Sequence, residues 1–209
     1  GWIHEGNVGR IVGSLSSSDP SQPMTLTLPS VFQGFVNAAG HLNLGYDLDS
    51  GIVNQDTSRE ELQQLTPGEI TAGGGISGTA ADLDDPILFP NHYRAVVRNS
   101  SSSVGIADLH FNGIADSRWI SAGDIGSISA DGFMPGAIIE AAGNIGNIEA
   151  SLYAEVPPPD PADPPNPPEV VQMEGFFQAG GNIGDIKSAT GILADVRAGG
   201  DIGDITALT

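Results

Sequence analysis

Carboxylates and amides return at fixed places in this chain, and the chemistry open to them is cation ligation or lateral hydrogen bonding. Asn7, Asp124, Asn144, Asn182 and Asp201 each follow a glycine, and three residues further on Arg10, Ser127, Asn147, Asp185 and Asp204 each stand immediately before an isoleucine. If equivalent positions stack about 4.8 Å apart, Asn over Asn can form an amide ladder and Asp over Asp must repel. Two such carboxylates oppose each other by roughly 3.5 kcal/mol at an effective dielectric near 20, and by about 1 kcal/mol when solvated. Asp185 and Asp204 are the stacked pair this arithmetic singles out. They read first as exposed corner residues that tolerate the repulsion. The alternative is a calcium site on Asp185, Asp204 and Asp201, since hard oxygen ligands clustered in turns suit that ion. The Gly and Asp spacing departs from that of calcium-binding nonapeptide repeats.

The remaining candidates read more plainly as structure. Asp47, Asp49, Asn54 and Asp56 are rich in oxygen, but Gly51 falls one place early for an EF-hand and a solvated turn is the better reading. Asp82, Asp84 and Asp85 read as a solvated loop. Gly73, Gly75 and Gly78 spell a dinucleotide fingerprint without the helix that must follow it. His4, His41, His92 and His110 are dispersed, with no zinc spacing and no Ser, His and acid grouping. Asp108, Asp116 and Arg118 are the residues an acid and base chemistry on polysaccharide would use, against which a salt-bridged strand end is the simpler account. Trp2 and Trp119 could stack on sugars, but their place in the repeat predicts core packing.

What must position these residues is a repeat: Gly, Asn or Asp, Ile or Val, Gly, any residue, Ile. It occurs at Gly6 to Ile11, Gly123 to Ile128, Gly143 to Ile148, Gly181 to Ile186 and Gly200 to Ile205. Gly123 and Gly143 are 20 residues apart and Gly181 and Gly200 are 19 apart, the period of a solenoid whose coils stack. A large apolar residue stands four places before each glycine, as Trp2, Trp119, Ile139, Phe177 and Val196, and predicts an inward position. Ile125 and Ile128 are three apart, so the chain must turn between them, and Gly126 suits the corner through its permissive backbone.

The predicted layout is a first coil over 1–13, an inserted excursion over 14–68, a degraded coil over 69–79 built on Ile70 and Ile76, an inserted loop and strand over 80–103, and coils over 104–209. The first excursion carries strand signals at Met24 to Leu28 and His41 to Leu48, which are expected to pair, and a capped helix over Arg59 to Leu65. Val156 to Pro168 is proline dense and acidic, and is expected as an extended loop.

Composition sets limits on partners. Twenty-six acids against seven bases give a net charge of −19. Nucleic acid and anionic membranes both draw on clustered Lys and Arg, so neither is an expected partner. No apolar run is long enough to insert in a bilayer as a helix. The chain has no Cys, so burial, hydrogen bonds or metal must hold it together. A start at Gly1 with a repeat copy in the first eleven residues reads as a processed product or a segment of a longer protein.

Through Gly123 to Gly126, Gly143 to Gly146, Gly181 to Gly184 and Gly200 to Gly203 and their period, the chain resembles the parallel β-helix proteins of bacterial surfaces, the group of filamentous haemagglutinin-like adhesins and autotransporter passengers. The resemblance covers the last 90 residues or so well and the first 15 weakly. It implies an all-β, right-handed parallel β-helix with coils of about 19–20 residues and three inserted loops, extracellular or at the cell surface of a bacterium. The expected function is a non-catalytic scaffold that builds a rod, fibre or outer layer by self-association, head to tail, or by joining neighbouring segments of a longer chain. The alternatives are a carbohydrate-binding or polysaccharide-cleaving domain and a calcium-stabilised adhesin. No catalytic residue is carried over, and calcium is the one candidate cofactor.

Overall fold

In the computed structural model, described for residues 14–28, 34–46, 68–78, 87–89, 95–111, 117–130, 137–151 and 173–208, every strand pairing is parallel. The seventeen strands among the described residues are β1 (Ser14–Ser17), β2 (Met24–Leu28), β3 (Phe35–Ala38), β4 (Leu42–Tyr46), β5 (Gly68–Ala72), β6 (Ile76–Gly78), β7 (Ile87–Phe89), β8 (Ala95–Asn99), β9 (Leu109–Phe111), β10 (Arg118–Ser121), β11 (Ile128–Ala130), β12 (Ile138–Ala141), β13 (Ile148–Ala150), β14 (Phe176–Ala179), β15 (Ile186–Ser188), β16 (Asp195–Ala198) and β17 (Ile205–Ala207). They form an eight-stranded sheet, β1-β3-β5-β8-β10-β12-β14-β16, a six-stranded sheet, β17-β15-β13-β11-β9-β7, and a three-stranded sheet, β2-β4-β6. Among the described residues the fold is all-β with no helix.

Register explains why so short a pattern suffices. Successive strands of the large sheet place Val36, Ile70, Val97, Trp119, Ile139, Phe177 and Val196 in one row, and all but the last are buried. Two residues on, Ala38, Ala72, Asn99, Ser121, Ala141, Ala179 and Ala198 make a row of small or compact side chains. Alternation of period two thus sends one large and one small residue inward per strand, as the pleat requires. A third row runs through Met24, Leu42, Ile76, Ile106, Ile125, Ile145, Ile183 and Ile202. In the first rungs this row belongs to full strands, and in the later rungs it narrows to a single bridging isoleucine. The six-stranded sheet then supplies the next inward row, Ile87, Leu109, Ile128, Ile148, Ile186 and Ile205.

The degraded copy at Ile70 to Gly78 takes its expected place: Ile70 pairs with Val97 and Ile76 bridges to Ile106. The predicted excursions differ. Residues 14–28, 34–46 and 95–99 lie within the same stacked sheets, because Leu15, Val36 and Val97 meet the inward row in register. Met24 to Leu28 and Leu42 to Tyr46 do pair, in parallel, as successive rungs. Val97 and Ile106 are separated by nine residues instead of six, and Asn99 holds the longer corner, its Nδ2 donating to the carbonyls of Gly74 and Val104 at 2.8 and 2.7 Å. The first coil at 1–13, the helix at 59–65 and the loop at 156–168 lie outside the described residues, as do Trp2, His4 and His92.

Gly126 also stands at its predicted corner, for a different reason. Its φ is not in the left-handed region; among described glycines only Gly175 is, at φ 145°. A Cβ on Gly126 would meet the side chain and the backbone nitrogen of Asp108 on the neighbouring rung. Close approach of stacked corners, and not backbone strain, selects glycine there.

Candidate functional site

The recurring polar residues gather along two edges of the stack, where each rung turns. At the first corner Asp124 Oδ1 accepts from Asn144 N at 2.7 Å, Asn144 Oδ1 from Asn182 N at 2.8 Å, and Asn182 Oδ1 from Asp201 N at 2.8 Å. At the second, Asp108 Oδ1 accepts from Ser127 N at 2.6 Å, Asn147 Oδ1 from Asp185 N at 3.0 Å, and Asp185 Oδ1 from Asp204 N at 3.1 Å. Each side-chain oxygen therefore caps the amide of its own equivalent one rung on. This corrects the expected amide ladder, since the acceptor pairs with backbone and not with the next side chain; among the described residues the one side-chain bond of the series is Asn144 Nδ2 to Asp124 Oδ1, at 3.2 Å. The reason is geometric. At a corner the backbone turns out of the sheet, so its N–H needs a partner, and a short Asn or Asp side chain reaches it.

The same geometry explains why Asn and Asp alternate freely in this slot: both offer an acceptor oxygen. Asn144→Ala should therefore leave the Asn182 amide without its partner and cost about 1 kcal/mol. Asn144→Asp keeps that acceptor but gives up the Nδ2 bond to Asp124 and sets two carboxylates on adjacent rungs, so that its own loss of about 1 kcal/mol should shrink in high salt where that of the alanine does not. Urea unfolding of the two variants measures the difference.

Asp185 and Asp204 are stacked as expected, but the Asp204 amide stands on the Asp185 carboxylate. Asp201 sits at the other corner row, its amide on Asn182. Among the described residues no group of three or more His, Asp or Glu is arranged to hold a metal ion.

Asp108 and Arg118 serve different neighbours. Asp108 holds the Ser127 amide, whereas Arg118 donates from Nε and Nη2 to Glu140 Oε2 at 3.0 and 2.7 Å, across from β10 to β12. Asp116 lies outside the described residues, with Asp47, Asp49, Asn54, Asp56 and the acidic loop at 82–85. Gly73, Gly75 and Gly78 belong to β6 and the corner before it, where a Cβ on Gly73 would land on the Ala39 carbonyl. Trp119 is fully buried, and its Nε1 donates to Ser117 Oγ at 2.8 Å.

Stacking creates two Ser and His pairs that spacing alone conceals: His41 Nε2 lies 2.9 Å from Ser77 Oγ, and His110 Nδ1 2.7 Å from Ser129 Oγ. Their members are 36 and 19 residues apart, and only knowledge of the register could have joined them. Ser77 also donates to Asn43 Oδ1 at 3.1 Å, and Asn43 in turn to Thr25 Oγ1 at 3.2 Å, so this histidine ends a polar row across three rungs. A nucleophilic serine needs spare N–H groups to receive an oxyanion. Around Ser129 the amides of Leu109 and Ile128 are given to the carbonyls of Ser127 and Asn147. The His110 and Ser129 pair thus reads as a coil-to-coil link.

Compared with known proteins, the chain matches no protein-family profile, no curated sequence and no solved structure.

Proposed function

We propose that the chain is a non-catalytic structural scaffold, a right-handed parallel β-helix with coils of about 19–20 residues that forms part of a rod, fibre or outer layer on the outside of a bacterial cell. The reading rests on one observation: the polar side chains that repeat with the coil spend their acceptors on the next rung's amides, six times over two corners. Side chains used in this way add length at constant cross-section, because each new coil meets the same partners as the last. The acidic surface fits a molecule kept apart from polyanions and soluble despite its elongation. The resemblance to adhesin scaffolds supports the external location.

The carbohydrate reading has one specific support. Arg98, Arg118 and Arg197 all stand on the outer face of the large sheet, and the Arg197 guanidinium lies 5.1 Å from the Phe176 ring centroid. One experiment separates the readings: acidic polysaccharides are offered to the wild-type chain and to Arg118→Ala, with and without a calcium chelator, following turnover, binding and Tm. The scaffold predicts no turnover, no binding lost on Arg118→Ala and no change in Tm on chelation. Turnover or Arg118-dependent binding would replace it with the carbohydrate reading, and a large fall in Tm on chelation with the calcium-stabilised adhesin.

A further inference from the structure

The inward rows of the eight-stranded sheet have an outward counterpart whose composition differs from that of the polar corners. Arg118 stands near its middle. Val96 and Ile138 flank it on the neighbouring strands, Ile120 follows two residues on along β10, and Phe176 continues the row beyond Ile138. These four apolar side chains are only half-buried, and Phe35, farther along the same row, is 61 % exposed. The outward row of the six-stranded sheet is the contrast, because its consecutive rungs hold His110, Ser129, Glu149 and Lys187. An arginine ringed by aliphatic and aromatic side chains is the composition of the centre of a protein interface, where other charged residues are depleted.

Charge decides what can cover this face. The chain carries −19 overall, yet the face holds Arg98, Arg118 and Arg197 against Glu69, Glu140 and Asp195 and sums to zero. Arg118 already holds Glu140, and Arg197 already holds Asp195, so a polyanion laid here would meet as many carboxylates as cations. A second copy of the chain meets its own balance instead. We infer that the outer face of the eight-stranded sheet is a self-association surface, on which two copies of this chain pack back to back about a two-fold axis running along the stack. That axis sets each rung opposite its own equivalent and reverses the strands, so the first outward residue of a strand faces the second. Like charges are then never opposed: Val96 faces Arg98, Arg118 faces Ile120, Ile138 faces Glu140 and Asp195 faces Arg197. Neither Arg98 nor Glu69 has an ion pair among the described residues, and the axis brings each beside the other in the second copy, one rung apart. On the far side of Arg98 stands the second copy's Arg118, neutralised by its Glu140.

The size of the face sets the strength. Eight strands about 4.8 Å apart, each with four residues rising about 3.3 Å, span about 34 Å by 13 Å, or roughly 450 Å² a copy. Standard interfaces bury about 800 Å² a side, so the association is weak and reversible, with a Kd on the order of 0.1 mM.

The test uses the full chain in about 0.15 M salt, where the Debye length is about 8 Å and like-charge repulsion between bodies is damped. Sedimentation velocity from about 10 μM to about 1 mM should show monomer and dimer in exchange. Ile138→Glu should weaken the dimer by about tenfold or more and leave Tm near that of wild type, because the side chain points out of the sheet. Leu208→Glu is the control, an exposed apolar residue outside this face, and should leave dimerisation unchanged. Arg98→Glu and Glu69→Arg should each weaken the dimer severalfold, and the double variant should restore it. A wild-type chain that stays monomeric at about 1 mM, an Ile138→Glu chain that dimerises like wild type, a Leu208→Glu chain that dimerises as poorly as Ile138→Glu, or a double variant that does not recover would each overturn the assignment. So would an acidic polysaccharide bound by a monomeric chain and lost on Ile138→Glu, which would give the face to a glycan. Polysaccharide turnover by a chain that still dimerises would remove the scaffold reading and leave the self-association standing.

Discussion

Gly146→Ala should destabilise the protein by about 2–4 kcal/mol, read as a lowered urea midpoint with an unchanged slope. Elsewhere the same exchange often stabilises by about 0.4–1 kcal/mol, because alanine narrows the unfolded ensemble. The sign reverses here through contact with the rung below. A Cβ at residue 146 would stand 2.7 Å from Ser127 N, 2.8 Å from Gly126 C and 2.9 Å from Ser127 Cα. All three atoms are backbone, so no rotamer change relieves the overlap. They also sit in the corner whose Gly126 and Gly146 amides donate to Ile106 and Ile125 carbonyls at 2.9 and 3.0 Å, so moving the rung apart lengthens those bonds as well. Gly123 provides the control within the same repeat. Its nearest approaches are 3.2 Å, to the carbonyl oxygens of Ser101 and Ser102 in the longer corner, and Gly123→Ala should stay within about 1 kcal/mol of wild type. Equal effects at the two positions would mean that close stacking is not what requires glycine.

That contrast shows which parts of the architecture could be read from residues. Five copies of a six-residue pattern were enough for stacked coils, because Trp119, Ile139 and Phe177 each stand four places before a glycine and fall into one buried row. The Val36, Gly40 and Leu42 series has the same spacing as Trp119, Gly123 and Ile125, and was hidden because His41, Asn43 and Gly45 stand where the other copies have Asn or Asp, Gly and Ile. Val97 and Ile106 were harder to find, since the five residues Ser100 to Val104 lengthen the corner and erase the period. At the polar corners sequence identified the residues and misjudged the bond. Asx side chains recurring every rung announce a ladder, but whether the acceptor meets a side chain or an amide depends on how the backbone turns, which composition does not encode. The Ser and His pairs lay beyond sequence reading for a related reason: a contact between rungs joins residues at the coil length, and that length varies along this chain.

Trp119→Ala carries the largest expected loss, about 3–5 kcal/mol. The indole is fully buried in the row between Val97 and Ile139, and it meets the Phe111 ring edge-on at 6.5 Å between centroids and 77° between planes. Two separate costs combine. Removing the rings leaves a cavity that β8 and β12 can close only by breaking register, and removing Nε1 takes the donor from Ser117 Oγ on a serine that is itself buried. Trp119→Phe divides them, because it keeps most of the apolar volume and still strands the serine; it should cost roughly 1–3 kcal/mol. In a stacked fold each rung touches only its neighbours, so the damage should remain local. Hydrogen exchange on Trp119→Ala should accelerate in β8, β10 and β12 before it does in β15 and β17. For a chain of this length each kcal/mol shifts Tm by about 2–4 °C, so a fall on the order of 10 °C is the matching thermal result. Uniform acceleration across all the strands would instead mean that the rungs unfold as one cooperative unit, and the near-neighbour account of how this stack holds together would have to be given up.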